Sequence, residues 1–219
     1  MPLLDGPRLP PRSGGAPDAL VVLLHGYGAD GRDLIDIGGA WADLLPGAAF
    51  VAPHAPDPCT EAPVGRQWFP LSRMDLKELA RGVEAAAPGI EQFLCAELER
   101  LRLPPSRLAL VGFSQGSMMA LNVALRMRAA PGVVVAYSGL WAGAAREAEA
   151  HPAPPPILLL HGSEDQVIPA EALFASSYGL AGAGVPVEWH LSHGLGHGID
   201  EVGLTLGGDF IARNLSRRS

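Results

Sequence analysis

The sequence predicts an α/β fold in which helices cover both faces of a largely parallel sheet. The chain has 219 residues, a length that one domain accommodates. Short apolar runs of strand length alternate along it with stretches whose apolar residues recur every three or four positions. Because the strand segments are apolar along their whole length, we expect the sheet to be buried on both sides.

Five short apolar segments, with 186–191 as a sixth strand, are expected to form this sheet. They are residues 19–24, 48–53, 107–111, 133–137, 157–160 and 186–191. Apolar spacing predicts helical turns from Leu76 to Val83 and again from Ile90 to Leu101, before the Pro104-Pro105 pair ends the pattern. Later helices are predicted over 117–128, 170–180 and 200–215.

The first 18 residues are rich in proline, glycine and arginine and show no periodicity. We therefore predict a flexible arm over 1–18 that begins to order near Pro17, followed by a single domain over 19–219. Residues 53–70 contain five prolines and no helical or strand period, which predicts one long irregular loop of the kind that often covers a site.

Composition and charge exclude several classes of function. Hydrophobic residues make up 48% of the chain and charged residues 18%, which is too apolar for a disordered protein. A net charge of −7 disfavours nucleic acid and anionic lipid as partners. The two cysteines, Cys59 and Cys95, do not form a C-x-x-C pair and are expected to be reduced thiols. Without a secretory leader or a membrane-length apolar run, the sequence predicts a cytoplasmic protein.

The strongest chemical signal is a Gly-x-Ser-x-Gly motif centred on Ser114. An apolar strand precedes it and an apolar helix follows it, which is the context of a nucleophile elbow. A serine on such a turn has a strained backbone, and side chains at Gly112 and Gly116 would collide with neighbouring chain. The amide of Gln115 begins the helix beside the serine, where donor and helix dipole can both stabilise a negative oxygen.

A serine nucleophile needs a base and an acid, which follow it along the chain in this type of fold. Asp165 lies in a loop directly after the strand at 157–160, so we predict that it is the acid, with Glu164 as the alternative. His197 lies in a glycine-rich loop just before the last helix and is the predicted base, with His193 as the alternative. The five other histidines lie before the serine, in a strand pattern or in a surface loop: His25, His54, His151, His161 and His190.

Two further interpretations concern the glycine-rich loops. His193 and His197 are four residues apart and, with Asp200, suggest a metal site, but three intervening or adjacent glycines oppose the helix that such a site requires. The segment after the first strand is also glycine-rich, so the Tyr27 amide can approach a substrate oxygen as a second oxyanion donor. The alternative for that segment is a plain tight turn, with His25 bracing it through hydrogen bonds.

Together, five ordered motifs resemble the phospholipase/carboxylesterase family of α/β-hydrolases, which includes acyl-protein thioesterases and small bacterial carboxylesterases. The motifs are Leu-His-Gly-Tyr-Gly-Ala-Asp at 24–30, Gln-Trp-Phe at 67–69, Gly-Phe-Ser-Gln-Gly-Ser at 112–117, His-Gly-Ser-Glu-Asp-Gln-Val-Ile-Pro at 161–169 and Gly-His at 196–197. The resemblance implies an α/β-hydrolase fold and the same triad and oxyanion residues. Tyr27 stands where leucine is common in the family, which affects the shape of the pocket more than a backbone donor.

The resemblance also bears on substrate and partners. It implies that Trp68, Phe69 and Val167 line the acyl pocket, whereas the residue pattern alone leaves the Trp68-Phe69 pair open as a hydrophobic plug beneath the loop. Pro2 stands near the position where animal acyl-protein thioesterases often carry a lipidated cysteine, so no stable membrane anchor is expected.

The sequence therefore predicts a serine carboxylesterase that acts on short to medium acyl esters through an acyl-enzyme, without metal or cofactor. An acyl-protein thioesterase or a lysophospholipase is the nearest alternative, and a catalytically silent binding module is the non-enzymatic one. The expected partner is a small-molecule ester, and a homodimer stays open.

Overall fold

The computed structural model describes residues 4–59, 62, 64–72, 75–143 and 153–216. Its main sheet has seven strands in the order β1-β3-β2-β6-β7-β8-β9, all parallel to their neighbours except β1, which runs antiparallel to β3. These strands are β1 Arg8–Leu9, β2 Ala19–Leu24, β3 Ala48–Val51, β6 Leu108–Phe113, β7 Val133–Tyr137, β8 Ile157–Gly162 and β9 Val187–Ser192. A separate pair, β4 Asp57–Pro58 and β5 Arg66–Gln67, lies within the loop predicted to be irregular.

Five helices flank the sheet in the described residues. They are α1 Gly31–Trp41, α2 Leu76–Leu101, α3 Gln115–Arg126, α4 Glu171–Gly182 and α5 Glu201–Ser216, with a short 3₁₀ turn at Pro105–Arg107. None of them combines the length and the apolar character needed to cross a bilayer.

The core consists of two layers, one on each face of the sheet. Along β2, Leu20 and Leu24 pack with α2, α3 and α4 on one face, whereas Val21 and Leu23 pack with α1 and α5 on the other. Every residue of β2 is buried. The prediction of a largely parallel sheet covered on both faces is confirmed.

Two helical features differ from the prediction. The turns expected around Val83 and Ile90 form one 26-residue helix, α2, that continues through Pro88. Helix α1 was not predicted, because its glycines lower helix propensity and interrupt the apolar period. The structure explains Gly38: a Cβ there would lie 2.8 Å from the Phe50 ring, so the glycine lets the helix approach β3 closely.

The prediction that the chain orders only near Pro17 is wrong for the described part of the arm. Arg8 pairs with Val51 and Leu9 with Phe50, which makes β1 an outer strand of the sheet. The Ala52 amide also donates to the Pro7 carbonyl at 3.0 Å. Without this segment, β3 would leave a row of backbone donors and acceptors unpaired, and pairing with the arm satisfies them.

Candidate active site

Ser114 lies on a sharp turn between β6 and α3. Its φ of 53° and ψ of −116° place it outside the regions that L-residues ordinarily adopt. Glycine is required on both sides: a Cβ on Gly112 would lie 2.3 Å from the Gly116 carbonyl oxygen, and one on Gly116 would lie 1.9 Å from that of Leu24. The elbow predicted from the sequence is therefore present, with its strained serine held between two close backbone approaches.

Hydrogen bonds hold the strained turn in place. The Ser114 amide donates to the Tyr137 carbonyl at 2.9 Å. The Ser117 hydroxyl lies 2.7 Å from the Gly112 carbonyl oxygen and 2.6 Å from that of Tyr137. One buried hydroxyl thus ties the first turn of α3 to the two central strands.

Asp165 and His197 form a direct pair at the same edge of the sheet. Nδ1 of His197 lies 2.7 Å from Oδ2 of Asp165. Oδ1 of the same carboxylate accepts from the amides of Val167 and Ile168, each at 2.9 Å. Burial alone would raise the pKa of Asp165, but the hydrogen bond with His197 and the two amides outweigh it and lower that pKa. The side chain is therefore a carboxylate at neutral pH.

The alternatives from the sequence lie elsewhere. Glu164 is exposed, and its amide is bonded to the Leu195 carbonyl. His193 is exposed as well, with Nδ1 3.4 Å from the Ser163 hydroxyl. His151 falls outside the described residues. Residues 193–200 do not form a helix, and the described residues contain no cluster of three or more His, Cys, Asp or Glu side chains suited to a metal ion.

The loop that carries His197 packs against β8 and against the elbow. A Cβ on Gly162 would lie 2.3 Å from the carbonyl oxygens of Leu195 and Gly196, so glycine at the end of β8 allows backbone to rest on backbone. The ring of His197 lies 5.0 Å from that of Phe113, the residue directly before Ser114. The imidazole is thus held next to the nucleophile elbow.

The turn after β2 also reaches the elbow. A Cβ on Gly26 would lie 3.4 Å from Cβ of Ser114, and Gly28 has a φ of +78°, which favours glycine. His25 braces this turn: its Nδ1–H donates to the Gly26 carbonyl at 2.8 Å, while its Nε2 accepts from the Ala55 amide at 3.0 Å. Tyr27 follows within the turn and is half-buried.

Trp68 and Phe69 are each 2% exposed and belong to the core layer on the α2 side. The side chain of Gln115 holds them: its Oε1 accepts from the Trp68 amide at 2.9 Å, and its Nε2 donates to the Phe69 carbonyl at 2.7 Å. Nε1 of Trp68 donates to the His25 carbonyl at 2.8 Å. Val167 is 52% exposed beside the Asp165 turn.

The Trp68-Phe69 pair also lines a cavity of about 490 Å³ beneath the β4–β5 loop. Its other walls include Ala55 and Ile90, and Ser114 is not among its lining residues.

Three contacts around the site were not predicted from the sequence. The Gln115 side chain bonds to the backbone of 68–69, His161 lies beside Asp165, and Gly162 lets the loop that carries His197 pack on β8. The only signal available was their position inside the recognised motifs, which does not reveal what a side chain touches. His161, set aside as the base because it lies in a strand pattern, has its Nε2 3.2 Å from Oδ2 of Asp165.

The sheet order and the strained serine turn between β6 and α3 are those of the α/β-hydrolase fold. The chain belongs to the phospholipase/carboxylesterase family, whose model matches residues 12–215. It is therefore a hydrolase of the carboxylesterase and acyl-protein thioesterase type.

Individual relatives agree with this assignment. The chain is 31% identical to the esterase YpfH of Escherichia coli K12 over 184 residues, which covers 83% of this chain and 76% of that protein. It is 26% identical to acyl-protein thioesterase 1 of Gibberella zeae over 214 residues, covering 84% and 87%. Among solved structures, esterase PE8 is 41% identical with a TM-score of 0.91, over 97% of this chain and 99% of that one. SOBER1 of Arabidopsis thaliana is 26% identical with a TM-score of 0.75, over 90% and 99%.

Proposed function

We propose that the protein is a serine carboxylesterase that cleaves short to medium acyl esters through a covalent acyl-enzyme. The observation that carries the proposal is the 2.7 Å contact of His197 with the buried Asp165 carboxylate beside the strained Ser114 elbow. A serine hydroxyl is a weak nucleophile until a neighbouring base takes its proton, and an oriented imidazole supplies that base.

Asp165 determines which nitrogen of His197 is free. A carboxylate only accepts hydrogen bonds, so the Nδ1 that faces it carries the hydrogen and Nε2 is left with a lone pair. His197 Nε2 takes the proton as Ser114 Oγ bonds to the acyl carbon. It then returns that proton to the leaving alkoxide as the ester C–O bond breaks. Water repeats the sequence on the acyl-enzyme and releases the acid.

Two backbone amides stabilise the oxyanion in this proposal. Gln115 supplies one from the first residue of α3, where the positive end of the helix dipole adds to the donor. Tyr27 supplies the other from the turn braced by His25. The close approach of Gly26 to Ser114 supports this role, because it brings the turn within reach of the carbon that Ser114 attacks.

Trp68, Phe69 and Val167 are the proposed acyl-pocket residues. The first two lie on a segment bonded to the Gln115 side chain, directly beside the proposed oxyanion site. Because large aromatic side chains limit the depth of a pocket, the proposed substrates are small esters with short to medium acyl groups. Long-chain thioesters and lysophospholipids are the alternative substrates, and similarity to an acyl-protein thioesterase favours testing them. No metal or cofactor has a part in the proposed reaction.

A fluorophosphonate probe tests whether the protein is an enzyme of this class, because such probes phosphonylate only activated serines. We expect stoichiometric labelling, mapped by mass spectrometry to the peptide that contains Ser114. We also expect Ser114→Ala to abolish labelling and to lower ester hydrolysis by about 10⁴-fold or more while the protein stays folded. Ser106→Ala is the control, since Ser106 lies in the 3₁₀ turn before β6, at the end of that strand away from Ser114, and its loss should leave labelling unchanged. Folded protein that is not labelled would favour the silent binding module.

A further inference from the structure

His161 is a buried histidine next to the proposed acid, with a side chain that is 1% exposed. It lies in β8, and its Nε2 is 2.8 Å from the Ile168 carbonyl oxygen and 3.2 Å from Oδ2 of Asp165. Its Nδ1 is buried and has no hydrogen-bond partner among the described residues. The proposed reaction does not use this side chain.

The contacts determine the tautomer of His161. A carbonyl oxygen only accepts hydrogen bonds, so the Nε2 that faces Ile168 carries a hydrogen. A hydrogen on Nδ1 as well would be a buried donor without an acceptor, which costs about 1–3 kcal/mol. His161 therefore carries a hydrogen on Nε2 that it donates to the Ile168 carbonyl, and its ring lies beside the Asp165 carboxylate.

His161 packs against the Asp165 carboxylate, with Nε2 3.2 Å from Oδ2, while its N–H is directed at the Ile168 carbonyl. Oδ1 receives the amides of Val167 and Ile168, and Oδ2 receives the Nδ1–H of His197. The buried His161 ring lies against Oδ2 and so restricts rotation of the carboxylate away from His197. Because its N–H donates to the Ile168 carbonyl, His161 also fixes the turn that supplies the two amides to Oδ1.

We propose that His161 is a positioning residue that holds Asp165 in the orientation needed to align His197. The inference rests on the proposed triad. It requires an imidazole that donates through Nε2 to the Ile168 carbonyl, and it assigns His161 no proton transfer of its own.

Two variants separate positioning from packing. His161→Gln keeps an N–H donor near the place of Nε2, whereas His161→Leu keeps the bulk and removes the donor. We expect His161→Leu to lower kcat by about tenfold to a hundredfold with little change in KM, because a misaligned base slows the chemical step and not ester binding. His161→Gln should stay within about threefold of the parent. Equal kcat values for His161→Leu and the parent would overturn the proposal.

Nitrogen-15 NMR of the labelled parent protein gives a readout that does not depend on activity or on the folding of a variant. We expect the hydrogen of the His161 ring on Nε2. A ring with its hydrogen on Nδ1 would contradict the assignment. Asp165→Asn distinguishes failure of the proposed triad from failure of the role proposed for His161. If Asp165→Asn stays active, the triad is wrong. If it is inactive while His161→Leu is fully active, only the role of His161 fails.

A second and independent observation concerns the outer edge of β9, where the described sheet ends. Trp189 on this strand is 50% exposed and makes an edge-to-face contact with Phe174 of α4, which is 44% exposed. Tyr178 of the same helix is 85% exposed. Single exposed aromatics are ordinary, but a group of them along an open strand is typical of an interface.

The backbone of β9 is also oriented for pairing. The Ile157 amide donates to the Pro186 carbonyl, which sets the alternation of the parallel ladder between β8 and β9. Residues 186, 188, 190 and 192 therefore bond to β8. Val187, Trp189 and Leu191 direct their N–H and C=O groups away from the sheet, available to another strand.

We propose that a second copy of this chain pairs with β9 in an antiparallel manner about a two-fold axis at Trp189. In this register Trp189 faces itself, Val187 faces Leu191, and the Glu188 carboxylate faces His190 of the other copy. The central pairs are complementary, aromatic with aromatic and aliphatic with aliphatic, and Glu188, which accepts from Arg213 of its own chain at 2.8 Å, lies opposite an imidazole. The register follows from the two-fold symmetry and the outward backbone groups of the odd-numbered residues.

Cysteine cross-linking tests this register in the full chain with the exposed Cys95 replaced by serine. The double variant Glu188→Cys/His190→Cys places cysteines opposite each other across the axis, with Cα atoms about 4.5 Å apart, within the range for a disulfide. We expect a covalent dimer on oxidation. Glu188→Cys alone is the matched control and should not cross-link, because its two copies lie diagonally and too far apart.

Sedimentation velocity of the unmodified chain from about 1 to 100 µM tests association itself. We expect a dimer that Trp189→Lys abolishes and that Leu76→Lys, at an exposed apolar residue of α2, retains. A protein that is monomeric throughout this range would overturn the proposal and leave the edge to a different partner. A dimer that survives Trp189→Lys and does not cross-link would show that another face associates.

Discussion

Each oxygen of the Asp165 carboxylate has its own donors, and one of them is the imidazole that Asp165 is proposed to orient. We expect Asp165→Asn to lower kcat by about 10³- to 10⁴-fold, because the amide favours the wrong tautomer of His197 and lacks the charge that stabilises imidazolium. Ester hydrolysis under saturating substrate measures the effect. Glu164→Gln changes the exposed neighbour and should leave kcat unchanged, and the reverse result would assign the acid to Glu164.

His25 provides a residue-scale prediction for stability against pH. Burial lowers the pKa of its imidazole below the ordinary value, although a hydrogen bond to the Gly26 carbonyl opposes this. The unfolded chain therefore binds a proton at a higher pH, about 6.5, than the folded chain does. Above about pH 7 neither state binds a proton at His25, so we expect this residue to cause no pH dependence of the free energy of unfolding there. As the pH decreases from 7 toward the lowered pKa, the free energy of unfolding should fall, because the unfolded chain binds the proton first.

Urea denaturation of the parent and of His25→Gln between pH 5 and 8 measures this contribution. The variant cannot be protonated at this position, so its free energy of unfolding should decline less steeply below pH 7. Parallel pH profiles for the two proteins would mean that His25 does not cause the decline.

At the scale of elements, the strands were predictable because burial on both faces leaves a simple signal. Strands β2 and β7 begin and end where predicted, β6 and β8 each end two residues later, and β6 begins one residue later. Helix α1 and strand β1 were missed for a physical reason: their glycines and prolines suit contacts made only in the folded chain. Gly38 is selected by the nearby Phe50 ring and Arg8 by a partner in α2, and neither contact is visible in a local pattern.

The segment around β5 carries the element-scale prediction about acyl chains. We expect Trp68→Ala to shift the kcat/KM optimum toward longer acyl chains with little change for acetate esters, since removing the indole would lengthen a pocket in which each further methylene contributes at most about 0.8 kcal/mol. A p-nitrophenyl ester series measured for both proteins decides this. Trp68 also donates to the His25 carbonyl. A uniform loss at all chain lengths would therefore identify Trp68 as a plug that supports the oxyanion turn.

At the scale of the whole molecule, the proposed site is assembled at one edge of the sheet from segments far apart in the chain. Ser114 follows β6, Asp165 follows β8, His197 follows β9, and the oxyanion turn follows β2. Parallel strands bring these segments together because their carboxyl ends all meet at that edge. The order of the site residues along the chain could be predicted for this reason, whereas the side chains that support them could not.

An ion pair between β1 and α2 holds the N-terminal segment to the rest of the domain. Arg8 donates to the buried Glu97 of α2 at 2.8 Å, and Arg100 donates to the other oxygen at 2.7 Å. Burial would raise the pKa of Glu97, but these two guanidinium groups outweigh it and lower that pKa. The carboxylate is 4% exposed, so the loss of one partner leaves a buried charge only half satisfied.

We therefore expect Arg8→Ala to lower the free energy of unfolding by about 1–3 kcal/mol, measured by urea denaturation at neutral pH. Arg12→Ala is the matched control, because Arg12 pairs with Asp43 at 2.9 Å with both side chains more than half exposed, and its loss should cost less than about 1 kcal/mol. Adding Glu97→Gln to Arg8→Ala should recover part of the loss, since a neutral amide is less costly to leave buried than a carboxylate. Equal effects of Arg8→Ala and Arg12→Ala would mean that the buried pair does not hold the N-terminal segment to α2.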